Sequence, residues 1–353
     1  MENVLPNNHQ KRSEYIDALK IIATASVVIY HVCMHYWNIY GMPGWNSIIG
    51  YSALTRFCVP IFFMASGALM IGSSVNISTF FKRRFSKILI PLVFWSFFYY
   101  IFTLYINSDF GNFNVSDALR QLISQPSSIH LWFLYAILGI YLTIPLWASI
   151  SSEKKMMAMV YYTALWFLFA SLFPFLRLLA IDVPKDLGSW YFVNETVQFY
   201  NYSGYFSLGY VLFCLKDSKQ LRNISIVAYL VSSIIIFFLV LFDSHEKKMI
   251  SQDYWDFKAP FVVIMSISIF LIIKSFDGFL AKINKPLSYI ANLTFGVYLC
   301  HVAFIYLVCN IYSWALESVP MFLRIPIQST AVLLLSFLAT FFISKIKILR
   351  KVI

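Results

Sequence analysis

Long apolar runs recur along the chain, near 18–37, 47–71, 88–106, 130–149, 157–179, 200–215, 224–242, 259–274, 291–312 and 325–344. A helix needs roughly 20 apolar residues to cross a hydrocarbon core about 30 Å thick. The pattern therefore predicts an all-α, polytopic integral membrane protein of about ten transmembrane helices joined by short polar loops. The run at 200–215 is short and interrupted by glycine, and is the weakest of the ten. No internal repeat, low-complexity segment or appended soluble domain breaks the pattern. The expectation is one membrane-embedded unit over 1–353, with polar tails at 1–16 and 345–353.

Composition supports lipid as the main solvent. Of the 353 residues 60% are hydrophobic and only 12% charged, against about 25% charged in soluble domains. The net charge of +11 admits an anionic partner or cytoplasmic loops loaded with cations. The positions favour the loops. With the N-terminus inside, the inner segments carry Lys11, Arg12, Lys82, Arg83, Arg84, Lys87, Lys154, Lys155, Lys216, Lys219, Arg222, Lys274, Lys282, Lys285, Lys345, Lys347, Arg350 and Lys351. The outer loops carry only Arg120, Arg177, Lys185, Lys247, Lys248, Lys258 and Arg324. This bias keeps its sense along the chain, which places both termini in the cytoplasm and makes the number of spans even. No basic block accompanies a soluble fold, so a nucleic-acid partner is not expected. The five cysteines lie in apolar stretches without metal-type spacing or a disulfide framework. The N-terminus has no signal-peptide cleavage pattern, so the first span is expected to be retained.

Ionisable groups inside apolar runs are costly and therefore candidates for chemistry. In YIDALKIIATASVVIYHVCMHY, His31 follows Lys20 by eleven residues. That is a rise of about 16 Å, and eleven steps of about 100° return nearly to the starting direction. Lys20 and His31 thus share a helix face, with Asp17 one turn below and His35 one turn above. Singly, Lys20 reads as an interfacial snorkelling lysine and His31 as a helix–helix hydrogen-bonding residue; the aligned set is more specific. Arg56, in LTRFCVPIFFMASGALM, sits about a third of the way in from the outside and either snorkels outward or serves a site. Pro60, Ser66 and Gly67 in that run permit a kink or a close helix contact. FFKRRFSKILIP reads as a topology signal or a phosphate patch, since arginine forks suit phosphate oxygens. His130, Trp132 and Tyr135 in HLWFLYAILGIYLTIPL read as an outer aromatic belt. His301, in LTFGVYLCHVAFIYLVC, matches the estimated depth of His31 and invites a shared polar cavity. No carboxylate–histidine cluster has metal-ligand spacing, so no metal is expected.

These segments together resemble the acyltransferase-3 family of bacterial membrane O-acyltransferases, over nearly the whole chain. The family's opening motif is an arginine, ten residues and a histidine; here Lys20 takes the arginine's place before His31. VPIFFMASGAL resembles its second-span motif, preceded by a basic residue at Arg56. Arg84 and Lys87 stand at the spacing of its arginine pair beside the third span. HLWFLYAILGIYLTIPL and FGVYLCH are similar to its fourth-span and late-span motifs. Lysine keeps the charge at 20 and 87 but loses bidentate geometry.

The resemblance implies transfer of an acyl group, commonly acetyl, from cytoplasmic acyl-CoA to a hydroxyl of an envelope polysaccharide or lipid-linked sugar. Acetyl-CoA or another acyl-CoA would be the donor substrate, with no permanently bound cofactor. Lys20, Arg83, Arg84 and Lys87 would hold its nucleotide end. His31 would act as general base or as an acyl-carrying nucleophile. Arg56 would stabilise the oxyanion or hold an anionic acceptor, and Trp132, Tyr135, Tyr298 and His301 would contact substrate. The expected setting is a bacterial cytoplasmic membrane, with lipid, the glycan acceptor and glycan-synthesis machinery as partners. Two other readings are a proton-coupled transporter of a polar envelope metabolite and a non-catalytic scaffold or sensor. The transporter reading expects inverted repeats and paired broken helices, and no convincing pair is visible.

Overall fold

The computed structural model describes residues 13–38, 40–72, 77–179 and 201–353. Among these residues the regular structure is helical, with no strand. Eight helices are long and apolar enough to cross a bilayer: Glu14–His35, Trp45–Met70, Ser86–Ile106, Ile129–Ser149, Ser152–Leu176, Lys219–Lys247, Asp277–Ile311 and Met321–Lys345. Two shorter apolar helices, Ser203–Cys214 and Pro260–Lys274, complete the series. Numbered in chain order, these first to tenth segments coincide with the ten apolar runs. The sixth has 12 residues, a rise of about 18 Å, which accounts for the weak signal at 200–215. The side chain of Arg177 and the outer-loop cation Lys185 lie outside the described residues, as do Lys11 and Arg12.

Contacts between segment ends fit strict alternation. On one side, the backbone N–H of Tyr15 donates to Asp277 Oδ1 at 3.2 Å, joining the starts of the first and ninth segments. Lys155 Nζ donates to the Ile71 carbonyl at 3.3 Å, joining the start of the fifth to the end of the second. Lys274 Nζ, at the end of the eighth, donates to the carbonyls of Leu212, Phe213 and Leu215 at 3.0, 2.9 and 2.5 Å around the end of the sixth. On the opposite side, Tyr51 donates to the Phe322 carbonyl at 2.9 Å, joining the starts of the second and tenth. Alternation through an even number of segments returns the Glu14 and Lys345 ends to one side.

Lys155 and Lys274 do more than mark topology. The last carbonyls of a helix lack intrahelical donors, and a cation there also opposes the negative end of the helix dipole. Both lysines are buried and bonded to helix-terminal carbonyls, so they act as C-terminal caps supplied by a neighbouring segment.

The second segment is two helices, Trp45–Thr55 and Cys58–Met70, interrupted at Arg56 and Phe57. The second of them crosses the sixth segment at backbone contact. A Cβ at Gly67 would collide with the Phe206 carbonyl, and one at Gly209 with the Met64 carbonyl. Small residues allow such approach in membranes, where close van der Waals packing drives association. Gly67→Ala should therefore destabilise the fold by about 3 kcal/mol. Thermal unfolding in detergent, followed by size-exclusion recovery, reads this directly; an unchanged midpoint would refute the backbone contact.

Candidate active site

His31 lies on the first segment and His301 on the ninth, and their packing brings the two rings into a hydrogen bond. His301 Nε2 is 2.9 Å from His31 Nδ1, and His301 Nδ1 is 2.7 Å from the backbone carbonyl of Tyr298. A carbonyl only accepts, so His301 Nδ1 carries a proton and, in the neutral ring, Nε2 accepts. His31 Nδ1 must then be the donor. The remaining nitrogen, His31 Nε2, carries a lone pair on a ring that lines a chamber of about 330 Å³. The hydrogen-bond chain thus assigns His31 the tautomer a general base needs.

His130 joins this pair and is not a belt residue. It is 1% exposed, with ring centroid 5.0 Å from His301 and 6.4 Å from His31. Its Nε2 donates to the Leu299 carbonyl at 3.2 Å, and its Nδ1 accepts from Ser128 Oγ at 2.9 Å. Its own backbone carbonyl accepts from the Tyr298 hydroxyl. The belt pattern failed here because the start of the fourth segment turns inward, against the ninth. Among the described residues no group of three or more His, Cys, Asp or Glu side chains is arranged to hold a metal ion.

Arg56 faces the same chamber from the break in the second segment. It does not snorkel: it is 4% exposed. Its Nε donates to the Trp255 carbonyl at 2.5 Å. Its guanidinium carbon lies 4.1 Å from the Phe257 ring centroid, 4.5 Å from Tyr30 and 5.6 Å from Trp255. Such faces attract a cation, more strongly when water is excluded. Nη1 is buried without a hydrogen-bond partner. A buried guanidinium with an unused donor is poised for negative charge arriving with a substrate or forming during reaction.

Tyr254–Phe257, reading YWDF in the outer loop, escaped the sequence reading. Two of its aromatic rings cage Arg56, Trp255 stacks on Trp37 at 5.6 Å, and Asp256 lines the chamber. Dense aromatic content in a loop is the signal that could have found it. Trp132 and Tyr298 line the chamber. Tyr135 does not. Its hydroxyl donates to the Leu122 carbonyl at 2.8 Å, and its ring borders a separate lateral cleft.

A second cavity, of about 240 Å³, opens on the Lys20 side. Lys20, Arg84 and Lys87 line it together with Ser66, Tyr141 and Thr294, although they come from the first and third segments and the turn before the third. Lys20 is held by Asp17 at 3.6 Å, and Asp17 accepts from Ser288 Oγ at 3.1 Å. The Phe81–Phe85 stretch, a π-type turn, sets the facing of Arg84. The side chain of Arg83 lies outside the described residues. Phe133 and Tyr298 line both cavities. The cationic cavity and the histidine chamber are therefore back to back, with these two rings between them.

A family model described as an acyltransferase domain matches residues 13–346. Neither the curated proteins nor the solved structures contain a match to the chain.

Proposed function

Because the chain belongs to the acyltransferase-3 family, and is thus a membrane acyltransferase acting on groups other than aminoacyl, we propose that it moves an acetyl group from cytoplasmic acetyl-CoA to a sugar hydroxyl on the outer side of a bacterial cytoplasmic membrane. The observation that carries this reading is the shared wall. A cavity lined by Lys20, Arg84 and Lys87 meets the chamber holding His31 and Arg56 at Phe133 and Tyr298.

The cations suit the phosphates of CoA, and the positive-inside bias puts them on the side where CoA is made. The pantetheine arm would pass Tyr298 and bring its thioester carbonyl to the chamber. The acceptor hydroxyl, a weak nucleophile at neutral pH, gives its proton to His31 Nε2 as its oxygen attacks that carbonyl. The tetrahedral oxyanion faces the unused Nη1 of Arg56. Collapse breaks the C–S bond, and the departing thiolate recovers the proton from the His31 imidazolium. Acyl transfer through His31 itself uses the same groups in two displacements. The aromatic lining from Trp37, Trp132, Tyr202 and Phe257, with Gln252 and Asp256, offers apolar faces and hydrogen-bonding groups to a sugar ring.

The test is transfer of radiolabel from acetyl-CoA to envelope glycan in proteoliposomes, with mass analysis for an acetyl increment. Flux of a metabolite without CoA would reject the reading. Arg84→Ala should raise KM for acetyl-CoA about tenfold with little change in kcat, the loss of one charge-assisted contact. Initial rates against acetyl-CoA concentration check this; an unchanged KM would remove Arg84 from the donor site.

A further inference from the structure

The connection from the third to the fourth segment holds a short helix, Val115–Ser124, at the Ile106 end of the third segment. Asn114 starts it. The Asn114 side chain accepts from the Ser116 N–H at 2.9 Å, which satisfies a free donor of the first turn. At about 100° per residue, Ala118, Leu122, Val115, Leu119 and Ile123 fill one apolar arc of about 140°. Ser116, Asp117, Arg120, Gln121 and Ser124 fill the rest. The protein covers only one edge of the apolar arc. Ala118 is buried and Leu122 packs against the core, whereas Val115, Leu119 and Ile123 are 53%, 47% and 86% exposed.

Two hydrogen bonds fix the level of this helix. The Tyr100 hydroxyl donates to the Asn114 carbonyl at 3.3 Å, and the Tyr135 hydroxyl donates to the Leu122 carbonyl at 2.8 Å. Tyr100 stands six residues before Ile106, the last residue of the third segment, and Tyr135 six after Ile129, the first of the fourth. Each is about 9 Å in from the end of its span. The chain therefore folds back after Ile106, and both ends of the helix sit at one level. Amphipathic helices rest in a bilayer interface at a depth of about 5–10 Å. The third segment beside it presents Phe94, Phe98, Ile101 and Tyr105 as an exposed stripe, so hydrocarbon already borders this corner of the bundle. Arg120 flanks the Ile123 edge of the arc, and its guanidinium suits phosphate oxygens.

The geometry points to the outer leaflet of the bilayer as the partner of this face: Val115–Ser124 lies in the membrane plane as an interfacial helix, with Val115, Leu119 and Ile123 among the acyl chains and Arg120 at the headgroup phosphates. A protein arriving from water would have to displace lipid to reach the stripe. This surface goes beyond the acyl-transfer reading and does not depend on it.

The test uses the full chain carrying Cys214→Ser, since the other cysteines are buried, in proteoliposomes of phosphatidylethanolamine and phosphatidylglycerol at low protein density. Spin labels are attached, one at a time, through Val115→Cys, Ile123→Cys, Asp117→Cys and Ser124→Cys. Oxygen partitions into lipid and a nickel chelate stays in water. The ratio of oxygen to nickel relaxation should be about fivefold higher at 115 and 123 than at 117 and 124, as for an apolar face about 5–10 Å deep. Equal ratios at all four sites would mean water on every side and overturn the inference. Protection of 123 from both reagents would mean a protein partner or a second copy, and would overturn it too. So would depths at 115 and 123 differing by about 12 Å, the full rise between them, which means a helix standing along the membrane normal. Leu119→Glu with Ile123→Glu should lift the face out of lipid and bring the label at 115 into nickel contact. No such shift in a monodisperse variant would overturn the assignment, and if the variant does not fold the four single labels decide.

Discussion

His31→Ala is expected to lower turnover by about 10³-fold, the usual scale of a lost general base, while leaving acyl-CoA binding intact. The size follows from position. His31 presents a ring to the chamber with its tautomer fixed by the chain from Tyr298 through His301. Removing the ring also removes any acyl-histidine route, so neither mechanism survives. His301→Ala should be milder, about tenfold to a hundredfold in kcat, because it frees the His31 ring to rotate and change tautomer but leaves it in place. Its KM for acyl-CoA should be unchanged, and that split separates a positioning role from general damage to the fold. Wild-type transfer by His31→Ala, with the variant monodisperse in detergent, would rule out both roles for this histidine.

Arg56→Lys should lower kcat by about 10²-fold, the cost of one lost oxyanion donor. The substitution keeps the charge and a side chain long enough to stay within the aromatic cage. It loses the planar fork that lets Nε bond the Trp255 carbonyl while Nη1 points elsewhere. A role in holding ground-state acceptor would raise KM instead, so the kinetic split decides which job Arg56 does. Unchanged kinetics would reject both.

The helical layout was legible because two periodic signals agree. Apolar length marks each span, and cation placement marks each turn; the end-to-end contacts then follow. The Lys20–His31 stripe was legible for the same reason: helix geometry is local, and eleven residues fix a facing. His301 was reachable through its depth. The remainder depends on residues distant in the chain. His130 looked interfacial because sequence does not reveal that the start of the fourth segment turns onto the ninth. The cage of Arg56 needs a loop some two hundred residues away. Tyr135 was grouped with Trp132 by proximity, yet three residues along a helix leave a net offset of about 60° in facing, and Tyr135 borders the lateral cleft instead of the chamber. Lys155 and Lys274 carried a topological signal whose second use, capping a neighbouring helix, appears only in packing.

The aromatic wall of Phe133 and Tyr298 has an electrical consequence. Moving one elementary charge through a membrane potential involves about 2.3 kcal/mol per 100 mV. With the phosphates retained by Lys20, Arg84 and Lys87, only the uncharged pantetheine arm and its acyl group pass the wall, and the proton moves between groups within the chamber. Under the proposed function, acetylation outside the membrane would then be electrically silent. Its rate would be independent of the potential that the rest of the cell maintains across the same bilayer.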